Sequence, residues 1–242
     1  MLVSVIVPAH NEGENLNRLL PRLRQLGAGF DYEVIVSIGV STDVANPPPT
    51  CDKVVWVTDR RKGRACQMNL AAHRAKGSVL VFLHADVWPP SGFFEDLQHT
   101  VTQGYDAGFF SYRFDKSTRL LNINASFTKS DGFFTGGGDQ CLFITASAFR
   151  SLNGFDENFV IMEDFEFFKR MKKRGLRYTI VDNALTVSAR KYEKNSYLRI
   201  NATNLILVVL FKLGCRPARL KRIHDTLLDV DYSETASASN NS

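Results

Sequence analysis

The segment Val3–Glu12 reads VSVIVPAHNE. Val3–Val7 is a β-branched run stopped by Pro8, which predicts a strand with His10, Asn11 and Glu12 leaving it at its carboxyl end. Downstream, Asn15–Leu26 places Leu16, Leu19, Leu20, Leu23 and Leu26 at helical spacing, and Pro21 inside that pattern predicts a kink or a shortened helix. Glu33–Ile38 is a second strand, Asn46–Pro49 breaks the chain, and Lys53–Val57 is a third strand. Arg64–Ala75 reads as a helix with Ala65, Met68, Ala72 and Ala75 on one side and Gly77 closing it. Ser78–Leu83 is a buried strand. A β-α-β-α-β order predicts an α/β fold built on a mostly parallel, Rossmann-like sheet with right-handed crossovers.

The second half changes character. Ala107–Phe114 reads as a strand, followed by a polar helix or loop. The glycine run Gly136–Gly138 precedes a strand at Cys141–Ile144 and a short helix at Ser147–Leu152. Asp164–Arg174 is a helix whose basic C-terminal end suits the helix dipole. Arg177–Val181 is a strand, Tyr197–Leu213 a long apolar helix, and Pro217 starts another at its first position. Residues 1–232 are expected to form a single domain with a C-terminal helical segment, and 233–242 a disordered tail.

The chain has 242 residues and a formal charge of +5, with basic clusters at Arg60–Arg64, Lys169–Arg177 and Arg216–Arg222. Such clusters suit phosphorylated substrates, anionic lipid or a solvated face. They lack interleaved stacking aromatics, which argues against nucleic acid. Cys51, Cys66, Cys141 and Cys215 show no CxxC spacing, so free thiols in a reducing compartment are expected. Met1–Pro8 does not read as a signal peptide, and the longest apolar run, in Leu205–Leu213, is too short to span a bilayer. These features predict a cytoplasmic protein.

Four places carry chemistry. Ligands of open α/β sheets bind beyond the carboxyl ends of the strands, where Pro8–Glu12 lies; Asn11 also suits a helix cap, and the two readings are compatible. His84-Ala85-Asp86 follows the apolar strand Ser78–Leu83. A carboxylate there is costly unless it binds something, and Asp86 offers a hard oxygen to Mg²⁺ or Mn²⁺ bridging a diphosphate. His84, two residues earlier on an extended strand, shares a face with Asp86 and reads as a second metal ligand or as a residue that orients the first. Glu163-Asp164 opens a helix, where Asp164 is either a cap or a base for an acceptor hydroxyl. Arg190-Lys191 is either ordinary surface or a stabiliser of a leaving diphosphate.

In order and spacing these segments resemble the family-2 glycosyltransferases of GT-A fold over roughly Val3–Asp225. The matching motifs are SVIVPAHNE, Ser41–Asp43, GRACQMN at Gly63–Asn69, VLVFLHADV, TGGGDQ at Thr135–Gln140, Asn153-Gly154-Phe155, MEDFEF at Met162–Phe167 and SARKY at Ser188–Tyr192. The resemblance is closest to a bacterial subgroup with HAD in place of DxD, near the diaponeurosporenoate-type glycosyltransferases. It implies that Pro8, Ala9, His10 and Glu12 line a nucleotide pocket, that Asp43 faces base and ribose, and that Arg64 lies near base or phosphates. It further implies that Asp86 holds the metal, Asp139 and Gln140 shape the sugar or acceptor site, Asp164 is the catalytic base, and Arg190 and Lys191 approach the diphosphate. The implied reaction is an inverting transfer from a nucleoside-diphosphate sugar to an acceptor hydroxyl. Ile38 stands where family members usually carry an acid, and His84 replaces the first acid of DxD.

Two other readings are a nucleotidyltransferase and a catalytically inactive sugar-nucleotide-binding protein. The first usually shows a glycine- and basic-rich loop directly after strand one, which Pro8–Glu14 lacks. Tyr197–Leu213 is apolar around most of its circumference and precedes Arg216, Arg219, Lys221 and Arg222. It reads either as a helix buried on the sheet or as an interfacial anchor, and the latter implies peripheral membrane contact and a lipid-like acceptor.

Overall fold

The protein is described from a computed structural model over residues 1–39, 53–59, 61, 63–132, 134–190, 192 and 196–228. It forms two compact units, Met1–Ser188 and Ala189–Ser242. Cys51, Asp43, Lys191 and the 233–242 tail lie outside the described residues; Cys66, Cys141 and Cys215 are free thiols.

The first unit is built on one eight-stranded sheet. Its strands are β1 (Val3–Ala9), β2 (Tyr32–Gly39), β3 (Val54–Asp59), β4 (Val79–Phe82), β5 (Val87–Trp88), β6 (Ala107–Phe114), β7 (Phe143–Thr145) and β8 (Tyr178–Val187), in spatial order β3-β2-β1-β4-β7-β6-β8-β5. The first four are parallel, in the register Val3↔Tyr32, Val3↔Val79 and Val34↔Val54. β7 then runs antiparallel to both β4 and β6, β8 is parallel to β6, and β5 closes the edge antiparallel to β8. All seven residues of β1 are buried, as a strand covered on both faces requires.

Helices α1 (Gly13–Leu26), α2 (Arg64–Arg74), α3 (Phe93–Thr102), α4 (Arg119–Ser126), α5 (Ala146–Ser151) and α6 (Glu163–Arg174) complete the unit. The helix α1 buries Leu16, Leu19 and Leu23 and runs through Pro21 to Leu26, neither shortened nor interrupted. Pro21 and Asn17, whose carbonyl loses its partner, both face solvent, where water satisfies the freed oxygen. Gly77 does not cap α2, which ends at Ala75 in extended conformation. Its N–H donates to the buried Ser4 hydroxyl at 2.8 Å, and a Cβ would lie 2.5 Å from that oxygen, so Gly77 is there for close approach to β1. The strand β8 outruns the expected Arg177–Val181 because a register shift opposite Phe110 and Tyr112 carries it through Asp182-Asn183. Asn183 Nδ2 donates to the Ser91 carbonyl at 2.8 Å and to Asp96 on α3 at 2.6 Å.

The aromatic core joins α5 and α6 to the sheet: Phe149 and Phe155 pack on Phe82, and Phe167 lies 4.7 Å from Phe155 between ring centroids. One side chain fastens α2 to the loop carrying Phe155. Asn69 Nδ2 donates to the Phe155 carbonyl at 2.9 Å and to Glu157 at 3.1 Å, while its Oδ1 accepts from the Phe155 N–H at 2.9 Å. Phe155 is buried. Asn69→Ala therefore orphans a backbone donor and acceptor together, and urea denaturation is expected to show a loss of about 2–3 kcal/mol with an unchanged slope.

In the second unit, α7 (Tyr197–Lys212) and α8 (Pro217–Leu227) pack together, and Arg199 Nε on α7 donates to the Leu227 carbonyl at 2.7 Å. Ser196 caps α7 through its side chain, and Pro217 opens α8 at its first position. Among the described residues no helix is long and apolar enough to cross a membrane.

Candidate active site

The carboxyl ends of β1 and β4 open into a cleft of about 220 Å³ lined by Pro8, Ala9, His10, Glu12, Arg64, Gln67, His84, Ala85, Asp86 and Asp139. Its position follows from the topology. Parallel strands deliver their following loops to one edge, and the N-terminus of α2 arrives there from β3.

Beyond β4 the chain turns at once, and Val87 N–H donates to the His84 carbonyl at 3.2 Å. His84 and Asp86 thus do not share the face of an extended strand, as their spacing suggested; the turn presents both to the cleft. Glu12 stands at the N-cap of α1 without a side-chain capping bond, so Asn11 is not the cap. Glu12 instead accepts a hydrogen bond from Asn15.

Asp164 is not a cap either. Met162, at φ 65°, is the N-cap of α6 and makes no side-chain capping bond, which leaves Asp164 inside the first turn. Its carboxylate and the His84 imidazole both lie against Gly138: a Cβ there would lie 2.5 Å from His84 Cε1, 2.8 Å from His84 Nε2 and 2.6 Å from Asp164 Oδ2. The bare Cα of Gly138 thus leaves room for both a histidine from the turn after β4 and an aspartate from α6. Arg64 reaches the same place from α2, with Nε 2.9 Å from the fully buried Glu163 carboxylate. That contact lacks hydrogen-bond geometry, so the attraction is chiefly coulombic.

The electrostatics follow from burial. Desolvation, reinforced by the Glu163 charge, pushes the Asp164 carboxyl up to about 8 against the pull of Arg64. The N-terminal end of a helix ordinarily favours a carboxylate, but here loss of water outweighs the dipole. Desolvation and then Arg64 hold His84 below its ordinary value, keeping the imidazole neutral near pH 7. The Glu163 carboxylate beside it raises the Arg64 guanidinium further.

Gln140, expected to shape the substrate site, lies behind it. It is buried, accepts from Gly136 N–H at 3.0 Å and donates to the Thr128 carbonyl at 3.3 Å, bracing the glycine run as a buried amide must. Arg190 belongs to the second unit, which is described by itself. Sequence reasoning gave no role to Gln67, Gly138 or Glu163. Gln67 is buried on α2 and donates to the carbonyls of Ala9 at 3.0 Å and Ser37 at 3.2 Å, tying the ends of β1 and β2 at the cleft wall. Its signal was a polar residue among the small apolar ones of Arg64–Ala75. Glu163 was signalled only by its place beside Asp164.

His10, Glu12, His84, Asp86 and Asp139 are the metal-capable side chains of the cleft. Among the described residues no three of His, Cys, Asp or Glu converge tightly enough to hold an ion by themselves. This donor set fits a divalent cation whose shell is completed by substrate phosphate oxygens, the usual arrangement for Mg²⁺ and for Mn²⁺ in its place.

The family model for glycosyl transferase family 2 matches residues 4–160. The chain belongs to that family. Among curated proteins, this family-2 chain is 25% identical over 204 residues to the succinoglycan biosynthesis protein ExoA of Rhizobium meliloti, covering 76% of this chain and 62% of that one. It is 28% identical over 132 residues to a dolichol-phosphate mannosyltransferase of Pyrococcus furiosus, covering 50% and 36%. The chain thus spans less than two thirds of each of these relatives. Among solved structures, Staphylococcus aureus TarS in complex with UDP-GlcNAc superposes with a TM-score of 0.64 at 17% identity, over 94% of this chain and 71% of that one. The mannosyltransferase PcManGT of Pyrobaculum calidifontis, in complex with GDP-Man and Mn²⁺, gives 0.60 at 20% identity, over 92% and 68%. The fold is the GT-A fold expected from the sequence.

Proposed function

We propose that this family-2 chain transfers a sugar from a nucleoside-diphosphate sugar to an acceptor hydroxyl with inversion at the anomeric carbon. The observation that carries the proposal is that Asp164 and His84 both lie against Gly138, and that His84 lines a cleft together with Arg64, Asp86 and Asp139. In this reading the Asp164 carboxylate takes the proton of the acceptor hydroxyl. The oxygen attacks the anomeric carbon as its bond to the diphosphate oxygen breaks, and a single displacement inverts the centre. A carboxyl raised toward 8 is a stronger base than an exposed one, and such a base contributes about 10²–10⁴-fold. His84, held neutral, adds no positive charge that would stabilise the ionised carboxylate and weaken it as a base. Arg64, half-exposed on the cleft wall, faces the negative charge that grows on the leaving diphosphate.

Asp86, with Asp139 and His84 beside it, would hold Mg²⁺ or Mn²⁺, and such an ion neutralises diphosphate charge when bound. PcManGT was solved with both GDP-Man and Mn²⁺, which supports a metal here. Asp86→Asn is expected to weaken binding of Mn²⁺ with UDP or GDP at least tenfold by isothermal titration; unchanged affinity overturns the metal role.

An apolar portion of the acceptor is supported by the surface next to the cleft segments. Phe134 precedes Thr135–Asp139, Val160 precedes Met162–Asp164, and both are exposed. On α4, Leu120 and Ile123 are exposed one turn apart, with Phe127 just beyond. Transfer assays with a panel of nucleotide sugars and alkyl-glycoside acceptors test the proposal. Donor-dependent product of inverted configuration is the expected result; donor binding without any transfer would favour the inactive-binding reading.

A further inference from the structure

We infer that α7 and α8 form a surface that docks the protein on an anionic lipid bilayer.

The first observation is an aliphatic stripe. Leu198, Ala202, Leu205, Ile206, Val209 and Leu213 recur at three- and four-residue steps along α7 and its C-cap, and all are exposed. Leu198 is 75% and Leu213 77% exposed. A helix in a water-soluble environment ordinarily turns polar residues outward; this one leaves an apolar ridge there.

The second observation is where the charge sits. Ser196–Leu228 carries Arg199, Lys212, Arg216, Arg219, Lys221 and Arg222 against Asp225 alone, a net +5 equal to the formal charge of the entire chain. Residues 1–195 carry a net +3, and residues 229–242 carry Asp229, Asp231 and Glu234, a net −3. In the other basic clusters Arg61 pairs with Asp59 at 2.8 Å and Glu157 at 2.5 Å, Arg170 with Glu166 at 2.6 Å, and Lys172 with Asp131 at 2.8 Å. On α8, Asp225 pairs with Lys221 at 2.6 Å and with His224 at 3.0 Å.

An aliphatic ridge beside concentrated positive charge suits acyl chains below anionic headgroups. It does not suit nucleic acid, since leucine, isoleucine and valine offer no stacking face. A second copy is disfavoured because two like surfaces of net +5 would oppose each other. The helix would lie in the interface, not cross it, in keeping with its length.

Docking needs no sugar donor, so its test is separate from that of the transfer reaction. The full chain is floated with vesicles of phosphatidylcholine alone and with one third phosphatidylglycerol, at low and high salt, and its mass is measured in solution. The wild type is expected to float with the anionic vesicles at low salt and to be released by salt. Each cation near an anionic surface contributes about fivefold, so Arg219→Glu with Arg222→Glu is expected to lower partitioning by at least about 25-fold. Leu198→Ser with Leu213→Ser, at positions too exposed to disturb the fold, is expected to lower it by on the order of tenfold or more. Thermal melts confirm folding of both variants. Wild type that stays in the soluble fraction with anionic vesicles at low salt overturns the inference, as does flotation that survives both double variants. A wild-type dimer dissociated by the leucine substitutions overturns it too, since a second copy then covers the stripe.

Discussion

Asp164→Asn is expected to lower kcat by about 10²–10⁴-fold while donor affinity changes little, because in the proposed reaction the proton it takes belongs to the acceptor. The desolvation of its carboxyl supplies two further readouts. The carboxyl is pushed up to about 8, chiefly by desolvation, so kcat/KM for the acceptor is expected to climb as pH approaches 8 and to level off above it. Stability runs the other way. The folded state holds this proton more tightly than the unfolded chain, so the contribution is fully present below the unfolded carboxyl value of about 3.9. It is lost as pH rises through about 8. Asparagine carries no charge to desolvate. The melting temperature of Asp164→Asn relative to wild type is therefore expected to rise between pH 5 and pH 9, the pH range being about that of the titration. A variant with wild-type turnover would return Asp164 to a structural role; a melting difference flat with pH would mean that the carboxyl is not desolvated.

Gly138→Ala is expected to abolish nearly all transfer with a modest effect on the fold. The added methyl would meet His84 at 2.5 Å and Asp164 at 2.6 Å, and both contacts are with ends of side chains, not backbone. Those ends can swing away, so the fold is expected to lose no more than about 1–3 kcal/mol. They can do so only by leaving the positions they hold against Gly138, and a displacement of about 1 Å at a reacting group costs on the order of 10²-fold. A loss of turnover out of proportion to the shift in melting temperature is the signature sought. Wild-type activity in the alanine variant would show that the approach of His84 to Asp164 is not used.

The parallel half of the sheet was readable because its strands are short β-branched or apolar runs separated by helices of clear period; Val3–Val7, Glu33–Ile38 and Ser78–Leu83 each lie within or beside an observed strand. The helix α3 was not read. It begins after Gly92 in a left-handed conformation, without a Ser, Thr, Asp or Asn cap, and its buried Phe93, Phe94, Leu97 and Thr100 span too few turns to announce a period. The far half of β8 was lost because Asp182-Asn183 resembles a turn, while the contacts that keep it extended come from α3, far away in sequence.

The site divides in the same way. Residues whose chemistry is local to one strand end, such as Asp86 and His10, could be placed at the cleft from the chain alone. Whether Asp164 caps or faces a pocket depends on the backbone of Met162, and that is settled by tertiary packing. Gln140 and Gln67 show the same limit. Each is a polar residue in a suggestive motif, and only burial reveals that one braces a loop while the other lines the wall.

The strand order has a consequence for how the chain matures during synthesis. β1 to β4 pair among themselves and are drawn from the first 82 residues, so this half can assemble as soon as it leaves the ribosome. Its outer edge at β4 then stays open until β7, Phe143–Thr145, arrives to cover it. β5 waits longer still. Val87 and Trp88, which directly follow Asp86, pair with Val187 and Thr186, close to the end of the first unit. The long loop that this pairing closes makes it one of the slowest contacts to form. The turn bearing Asp86 is therefore anchored on one side early and on the other only at the last step, so a nascent or truncated chain ending before β8 would carry the β1–β4 side of the cleft with its acidic turn still untethered.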